Sequence, residues 1–193
     1  MEELVKSIFQ DSAKLKVSFA ETHSKIIVDI AEVLSKAFKR GNKLLLFGNG
    51  GSASDTQHIA AEFVNRFKLE RIPLPALSLA TDSSVITSIS NDYDFRELFS
   101  KQIMAFGIKG DIALGISTSG NSENILRAFE VAHRLKLKTV AFLGNDGGKA
   151  RNKVDYPIIV PSDSVPRIQE VHITIGHILC ELVENILFKK NIK

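Results

Sequence analysis

Tryptophan is absent from this chain of 193 residues, cysteine occurs once, and there are only 2 tyrosines, 2 methionines and 5 prolines. A single cysteine cannot close an intrachain disulfide. Cys180, in the apolar run His177-Ile-Leu-Cys180, reads as a core residue of a protein kept in a reducing compartment. No continuous apolar run approaches the roughly 18 residues of a membrane span. The opening Met1-Glu-Glu-Leu-Val-Lys-Ser-Ile-Phe9 is acidic and amphipathic, unlike a secretory leader. A cytoplasmic protein without a membrane partner is expected. Excess charge is lacking too: 25 Lys and Arg against 22 Asp and Glu leave +3. The basic residues are scattered, apart from Lys189, Lys190 and Lys193, so nucleic acid is not an expected partner. With no repeat or low-complexity tract and 44% hydrophobic residues, the length suits one domain, 1–193, able to bury roughly 70% of its unfolded surface.

The apolar pattern supplies the fold. Residues 3 to 20 and 23 to 40 carry apolar positions at helical spacing (Leu4, Ile8, Phe9, Leu15; Ile26, Ile27, Ile30, Leu34, Phe38), with Gly41 as the stop, and read as two helices. Short apolar runs at Lys43–Phe47, Ala76–Leu79, Asp111–Ile116, Thr139–Leu143 and Tyr156–Val160 follow, separated by helix-length segments. Runs that are apolar on both faces belong to strands covered on both sides. The expectation is an α/β fold with a doubly wound, five-stranded, mainly parallel sheet and ligands at the strands' carboxyl ends. From Ser164, with Pro166 in its first turn, apolar positions Ile168, Val171, Ile175, Ile178, Leu182 and Ile186 mark one long C-terminal helix. Helices beyond those needed to cover the sheet, especially over 1–41, leave apolar surface for other copies of the chain, so a homo-oligomer is expected around the 42–193 core.

Two turns carry the chemistry. Gly48-Asn-Gly-Gly-Ser52 follows the first strand and opens the next helix; its glycines allow positive φ, so that several N–H groups converge on an anion at the helix's positive end. On that helix His58 and Glu62, four residues apart, share one face about 6 Å apart. Binding and reaction are thereby expected side by side. Ser117-Thr-Ser-Gly-Asn-Ser122, after the third strand, offers four hydroxyls at a second helix start, where neutral donors can hold a phosphate without a buried ammonium. Neither turn completes a nucleotide fingerprint: Gly-Lys-Ser/Thr is missing and Gly-x-Gly-x-x-Gly is not finished. A small phosphorylated ligand fits better.

The pairing of these turns resembles the sugar isomerase (SIS) domain, which has a flavodoxin-like sheet. Asp55-x-x-His58-x-x-x-Glu62, Asn91-Asp92 and Arg167-Ile-Gln-Glu-Val-His172 with His177 are similar, more closely, to the sedoheptulose 7-phosphate (phosphoheptose) isomerase family, from end to end. The resemblance implies conversion of that ketose to a manno-heptose 7-phosphate through an enediol, the first step toward ADP- or GDP-heptose. It implies Glu62 as base and His177 as acid. Phosphate and sugar would be held by Asn49, Gly50, Gly51, Ser52, Asn91, Asp92, Ser117, Thr118, Ser119, Ser122 and Gln169 together with Glu62. It also implies one zinc per subunit on His58, Glu62, Gln169 and His177, and a tetramer. Whether Glu62 serves as free base or as full metal ligand stays open. Gln169 and His177, eight apart, would be separated by about 12 Å on one helix, so a shared metal would require either different subunits, with an interfacial site, or a distorted helix. Rival readings are another small ketose-phosphate isomerase and a non-catalytic relative that docks the replication initiator.

Other candidates are weaker. His172 reads as a structural or solvated histidine, His133 as surface, and His23 as lying near a helix start. Arg66 is either a ligand contact or a simple ion-pair partner, and Asp55 either a helix cap or an orienting carboxylate for His58. Gly144-Asn-Asp-Gly-Gly148 reads as a turn closing the fourth strand.

Overall fold

The computed structural model describes residues 1–189; Lys190 and Lys193 of the basic C-terminal group lie outside the described residues. Its elements are α1 (Glu2–Lys39), β1 (Leu44–Gly48), α2 (Gly51–Val64), β2 (Ala76–Ser78), α3 (Ser83–Asp92), α4 (Leu98–Phe106), β3 (Ile112–Ser117), α5 (Glu123–Arg134), β4 (Lys138–Gly144), β5 (Tyr156–Val160) and α6 (Val165–Phe188), with short 3-10 turns at Phe95–Glu97 and Gly148–Asn152. The five strands run in the order β2-β1-β3-β4-β5, and every pairing is parallel. That is the doubly wound arrangement expected of strands apolar on both faces.

The strands alternate their side chains between two cores. Leu44 and Leu46 of β1, Ile112, Leu114 and Ile116 of β3, and Val140 and Phe142 of β4 pack under α1, α2 and α6. Leu45, Phe47, Ala113, Ala141 and Leu143 face α4 and α5. Gly115 of β3 is required on this second face, since a Cβ there would stand 2.6 Å from the Phe129 ring and 2.8 Å from that of Phe47. At the amino edge of the sheet the fully buried Asp111 accepts from Lys43 N (3.0 Å), Lys43 Nζ (2.6 Å), Ile108 N (3.0 Å) and Asn42 Nδ2 (3.2 Å), tying β3 to the start of β1.

The N-terminal pair of helices is a single helix of 38 residues. The expected break at residues 21 and 22 does not occur because Ala20-Glu-Thr-His23 contains neither glycine nor proline. The local polar groups are satisfied along the helix itself: Thr22 Oγ1 donates to Phe19 O (3.2 Å), and the His23 ring stacks on Phe19 with centroids 4.2 Å apart. His23 therefore lies mid-helix rather than near a start. Gly41, at φ +79°, ends the run as expected.

α6 is apolar enough, at a mean hydropathy of 1.4 over 18 residues, to pass the length and composition test for a membrane span, which the reading of continuous runs did not register. Here it is a core helix packed on α1 and α2, with Ile168, Val171, Ile175, Leu179, Cys180 and Val183 buried. In this layer the helices run parallel, and α6 lies in register along α2. Gln169 stands over Gly51, Gly176 over Ile59, and His177 beside His58. Gly176 permits that approach, because a Cβ there would meet Ile59 at 2.6 Å.

Candidate active site

Both anion-binding turns lie where parallel strands end and helices begin, at the carboxyl edge of neighbouring β1 and β3. Gly50, at φ 54°, caps α2 without a side-chain hydrogen bond, and Ser122 caps α5 likewise. Ala53 N and Ile125 N already donate to Gly50 O (3.0 Å) and Ser122 O (3.1 Å), so among the described residues it is the N–H groups of Gly51, Ser52, Glu123 and Asn124 that are left to a ligand. Gly48 must lack a side chain, since its Cβ would come within 2.8 Å of Ser52 O. In the serine turn, Ser117 Oγ donates to Ser122 Oγ (3.4 Å) and accepts from Gly120 N (3.2 Å), while Ser119 Oγ accepts from Asn121 N (3.2 Å).

Two features that sequence reasoning missed brace this cup. Asn124, 3% exposed in the first turn of α5, exchanges hydrogen bonds with Asn49: each Nδ2 donates to the other's Oδ1, at 3.0 and 2.9 Å. The two turns are locked into one. The segment Gly144–Gly148 does more than close β4. Gly147 and Gly148 pack directly on the serine turn, where a Cβ on Gly120 would stand 2.0 Å from Gly147 O, and one on Gly148 would stand 2.4 Å from Ser119 O. Ala150 N donates to Gly120 O (3.0 Å) and Lys149 N to Asn121 Oδ1 (3.1 Å). Its paired glycines at positive φ were the available signal.

The second cluster sits farther along α2. His58 Nε2 lies 3.2 Å from Glu62 Oε1 and 3.4 Å from His177 Nε2, the last contributed by α6. The His58 side chain is 49% exposed and that of Glu62 26%, so the pair faces outward rather than into the core. Asp55 is not a cap, because α2 starts at Gly51; one carboxylate oxygen is buried with no partner among the described residues, and burial raises its pKa above the ordinary value against a smaller downward pull from His58.

The structure thus groups Asn49, Gly50, Gly51, Ser52, Ser117, Thr118, Ser119, Ser122 and Gln169 at the carboxyl edge, and His58, Glu62 and His177 elsewhere. The expectation that binding and reaction sit side by side within one chain needs correction. Glu62 is the twelfth residue of α2, so it lies about 16 Å along the axis from Gly51, farther than a seven-carbon sugar phosphate reaches. Gln169 and His177 are separated in the same way, on one unbroken helix. Asn91 and Asp92 end α3, exposed, with Asn91 Nδ2 donating to Asp92 Oδ1 (2.8 Å); among the described residues they make no side-chain bond to either cluster. Among the described residues no three His, Cys, Asp or Glu side chains form a ready metal cage.

The remaining candidates make contacts of their own within the chain. His172 is fully buried, with Nε2 3.0 Å from Leu143 O, and burial pushes its pKa down to about 4, which makes it a neutral structural residue. His133 is exposed, its Nε2 2.9 Å from Lys153 O, and Arg66 pairs with Glu70 at 3.4 Å.

A parallel sheet with two such turns at its carboxyl edge is the architecture of a sugar-phosphate-binding α/β domain, and residues 9–144 match the SIS domain model. The chain is 53% identical to phosphoheptose isomerase of Aquifex aeolicus, over 99% of this chain and 100% of that one. It is 52% identical to that of Thermodesulfovibrio yellowstonii, over 98% and 94%. The solved phosphoheptose isomerase of Neisseria gonorrhoeae superposes with a TM-score of 0.91 at 38% identity, covering 95% of this chain and 98% of the other. The chain belongs to the phosphoheptose isomerase family of SIS-domain proteins.

Proposed function

We propose that this protein is an aldose–ketose isomerase converting sedoheptulose 7-phosphate into D-glycero-D-manno-heptose 7-phosphate, at the entry to nucleotide-activated heptose for surface glycans. The observation that carries the reading is the approach of His58, Glu62 and His177 from two helices, on a chain that also presents a braced phosphate cup. Isomerisation requires a base to take a proton from C1, an acid to protonate the C2 oxygen as the enediol forms, and return of a proton to C2 as the O1 proton leaves. Glu62 is the base and His177 the acid. The serine turn and the amides of α2 and α5 hold the phosphate as dipoles that need no reorganisation.

Two imidazoles and a carboxylate are donor types that zinc takes, although within one chain they do not stand as a ready cage. For Zn–N bonds of about 2.0–2.1 Å, ligand atoms in a tetrahedron stand about 3.3 Å apart. The spacings of 3.2 Å (His58 to Glu62) and 3.4 Å (His58 to His177) are of that size. Zinc held by His58, Glu62 and His177 would polarise the substrate's carbonyl or hydroxyl, and is compatible with the acid and base roles only where one Glu62 oxygen and one His177 ring nitrogen stay free of it. Gln169 joins that set only from another copy of the chain, and the distance from cup to Glu62 supports the same arrangement, with each substrate shared between subunits of a cytoplasmic tetramer. A docking protein for the replication initiator would have no use for this donor set.

Incubation of the purified protein with sedoheptulose 7-phosphate, followed by NMR, should show the aldose 7-phosphate forming, and Glu62→Gln should abolish it. Metal content and native mass on the same sample should give one zinc per chain and a tetramer. Absence of turnover both with and without added zinc would overturn the isomerase reading.

A further inference from the structure

A buried ion pair remote from the phosphate cup touches both halves of the acid–base assembly. Arg71, in the loop between α2 and β2, and Glu184, on α6, each have side chains 1% exposed, with Arg71 Nε donating to Glu184 Oε1 at 3.0 Å. Glu184 also accepts three successive backbone N–H groups, from Phe67 (2.8 Å), Lys68 (2.8 Å) and Leu69 (3.0 Å). Burial alone would raise its carboxyl, and these donors outweigh it, holding the group ionised below its ordinary range.

Arg71 reaches the other way. Its Nη2 donates to the backbone carbonyl of Glu62 (2.8 Å) and its Nη1 to that of Phe63 (2.7 Å), in the last turn of α2. With residues 67–69 fixed by Glu184, the Phe67 ring stacks on the imidazole of His177, centroids 5.5 Å apart and planes 23° apart. His58 meets the same imidazole edge-on at 5.0 Å, so His177 is confined between two rings. A buried ion pair is a poor device for stability alone, since apolar residues of similar volume often serve as well or better. What it provides here is direction: three N–H groups and four carbonyls, those of Glu62, Phe63, Asn65 and Ile72, aimed at fixed points.

We infer that Arg71 and Glu184 are positioning residues for the isomerisation, acting through Phe67 stacked on His177 and through the backbone carbonyl of Glu62. The inference rests on the isomerase reading above. Neither residue touches the sugar; they set where the acid and the base stand, and misplacement of a reacting group by about 1 Å costs up to about a hundredfold.

The test compares Glu184→Gln, Phe67→Leu and Phe67→Tyr with wild type by steady-state kinetics on sedoheptulose 7-phosphate and by NMR of ¹³C-labelled histidine, the His177 signal being assigned by its loss in His177→Asn. Phe67→Leu leaves the ion pair intact and guards against a Glu184→Gln protein that does not fold. In Glu184→Gln and Phe67→Leu, kcat is expected to fall about ten- to a hundredfold with KM within about twofold. The His177 ring protons should move downfield as the stacked ring is lost, and Phe67→Tyr should restore both. A Phe67→Leu protein with wild-type kcat and an unmoved His177 signal overturns the inference, as does a loss carried by KM alone. The NMR arm is independent of turnover, so an inactive wild type would defeat the isomerase reading while the His177 shift still reports on the geometry.

Discussion

Asn49 and Asn124, 75 residues apart in sequence, face each other through a reciprocal pair of amide hydrogen bonds of 3.0 and 2.9 Å. Each side chain gives one N–H and takes one, so the bridge needs an amide at both positions. It joins the turn after β1 to the first turn of α5, making one phosphate cup out of two strand ends.

Asn124→Asp removes the donor and places a carboxylate at a helix start that the phosphate should occupy. KM for the sugar phosphate is expected to rise about tenfold, equivalent to ~1.4 kcal/mol, with kcat changed less. Steady-state kinetics and weakened inhibition by inorganic phosphate would check it.

Gly120 sits at φ 63° with Gly147 O where a methyl would go. Gly120→Ala must adopt a strained backbone and push the bracing turn away, which together should cost about 2–4 kcal/mol in urea unfolding and abolish phosphate binding. Gly41→Ala offers the comparison: it has a positive φ with open space around it, so only the backbone cost remains.

His172 gives the fold a pH dependence of its own. Its pKa is about 4 in the folded protein against 6.5 ordinarily, so only the unfolded chain gains a proton between those values. Its contribution is complete above about pH 6.5 and lost as pH falls toward 4, amounting to roughly 3 kcal/mol over that window. His172→Gln, which keeps a donor for Leu143 O, should flatten the stability profile there; denaturant melts at half-unit pH steps would show it.

Asp111 acts lower on the scale. Burial raises its carboxyl, but hydrogen bonds from Lys43, Ile108 and Asn42 outweigh this and hold it below the ordinary range. The stability it contributes is present above about pH 4 and is lost as pH falls through the depressed folded value. Asp111→Asn should lower stability at pH 7 and shrink the loss seen in acid, again by denaturant melts.

The strands were legible because each carries a short apolar run bounded by turn residues, and Tyr156–Val160 matches its predicted limits. α6 was legible from its heptad-like apolar spacing and from Pro166 near its start. The false break in α1 arose from reading a lapse in apolar periodicity as a stop, when only a glycine or proline would have enforced one. At the site, glycines and hydroxyls announced themselves by local crowding. Asn124, Phe67, Arg71 and Glu184 did not, because each works through a partner distant in sequence, as Asn124 does through Asn49. Glu184 left one trace: it follows Cys180 by four residues, a charge on the buried stripe of an apolar helix.

Gly176 gives the histidine pair its separation. With Ile59 filling the space a side chain would claim, α2 and α6 close until the neighbouring residues, His58 and His177, stand 3.4 Å apart. The gauge of the reacting groups is thus cut by a missing methyl on an adjacent face of the helix. A chain could retain every catalytic side chain and still lose its reaction by gaining one carbon and two hydrogens at this position.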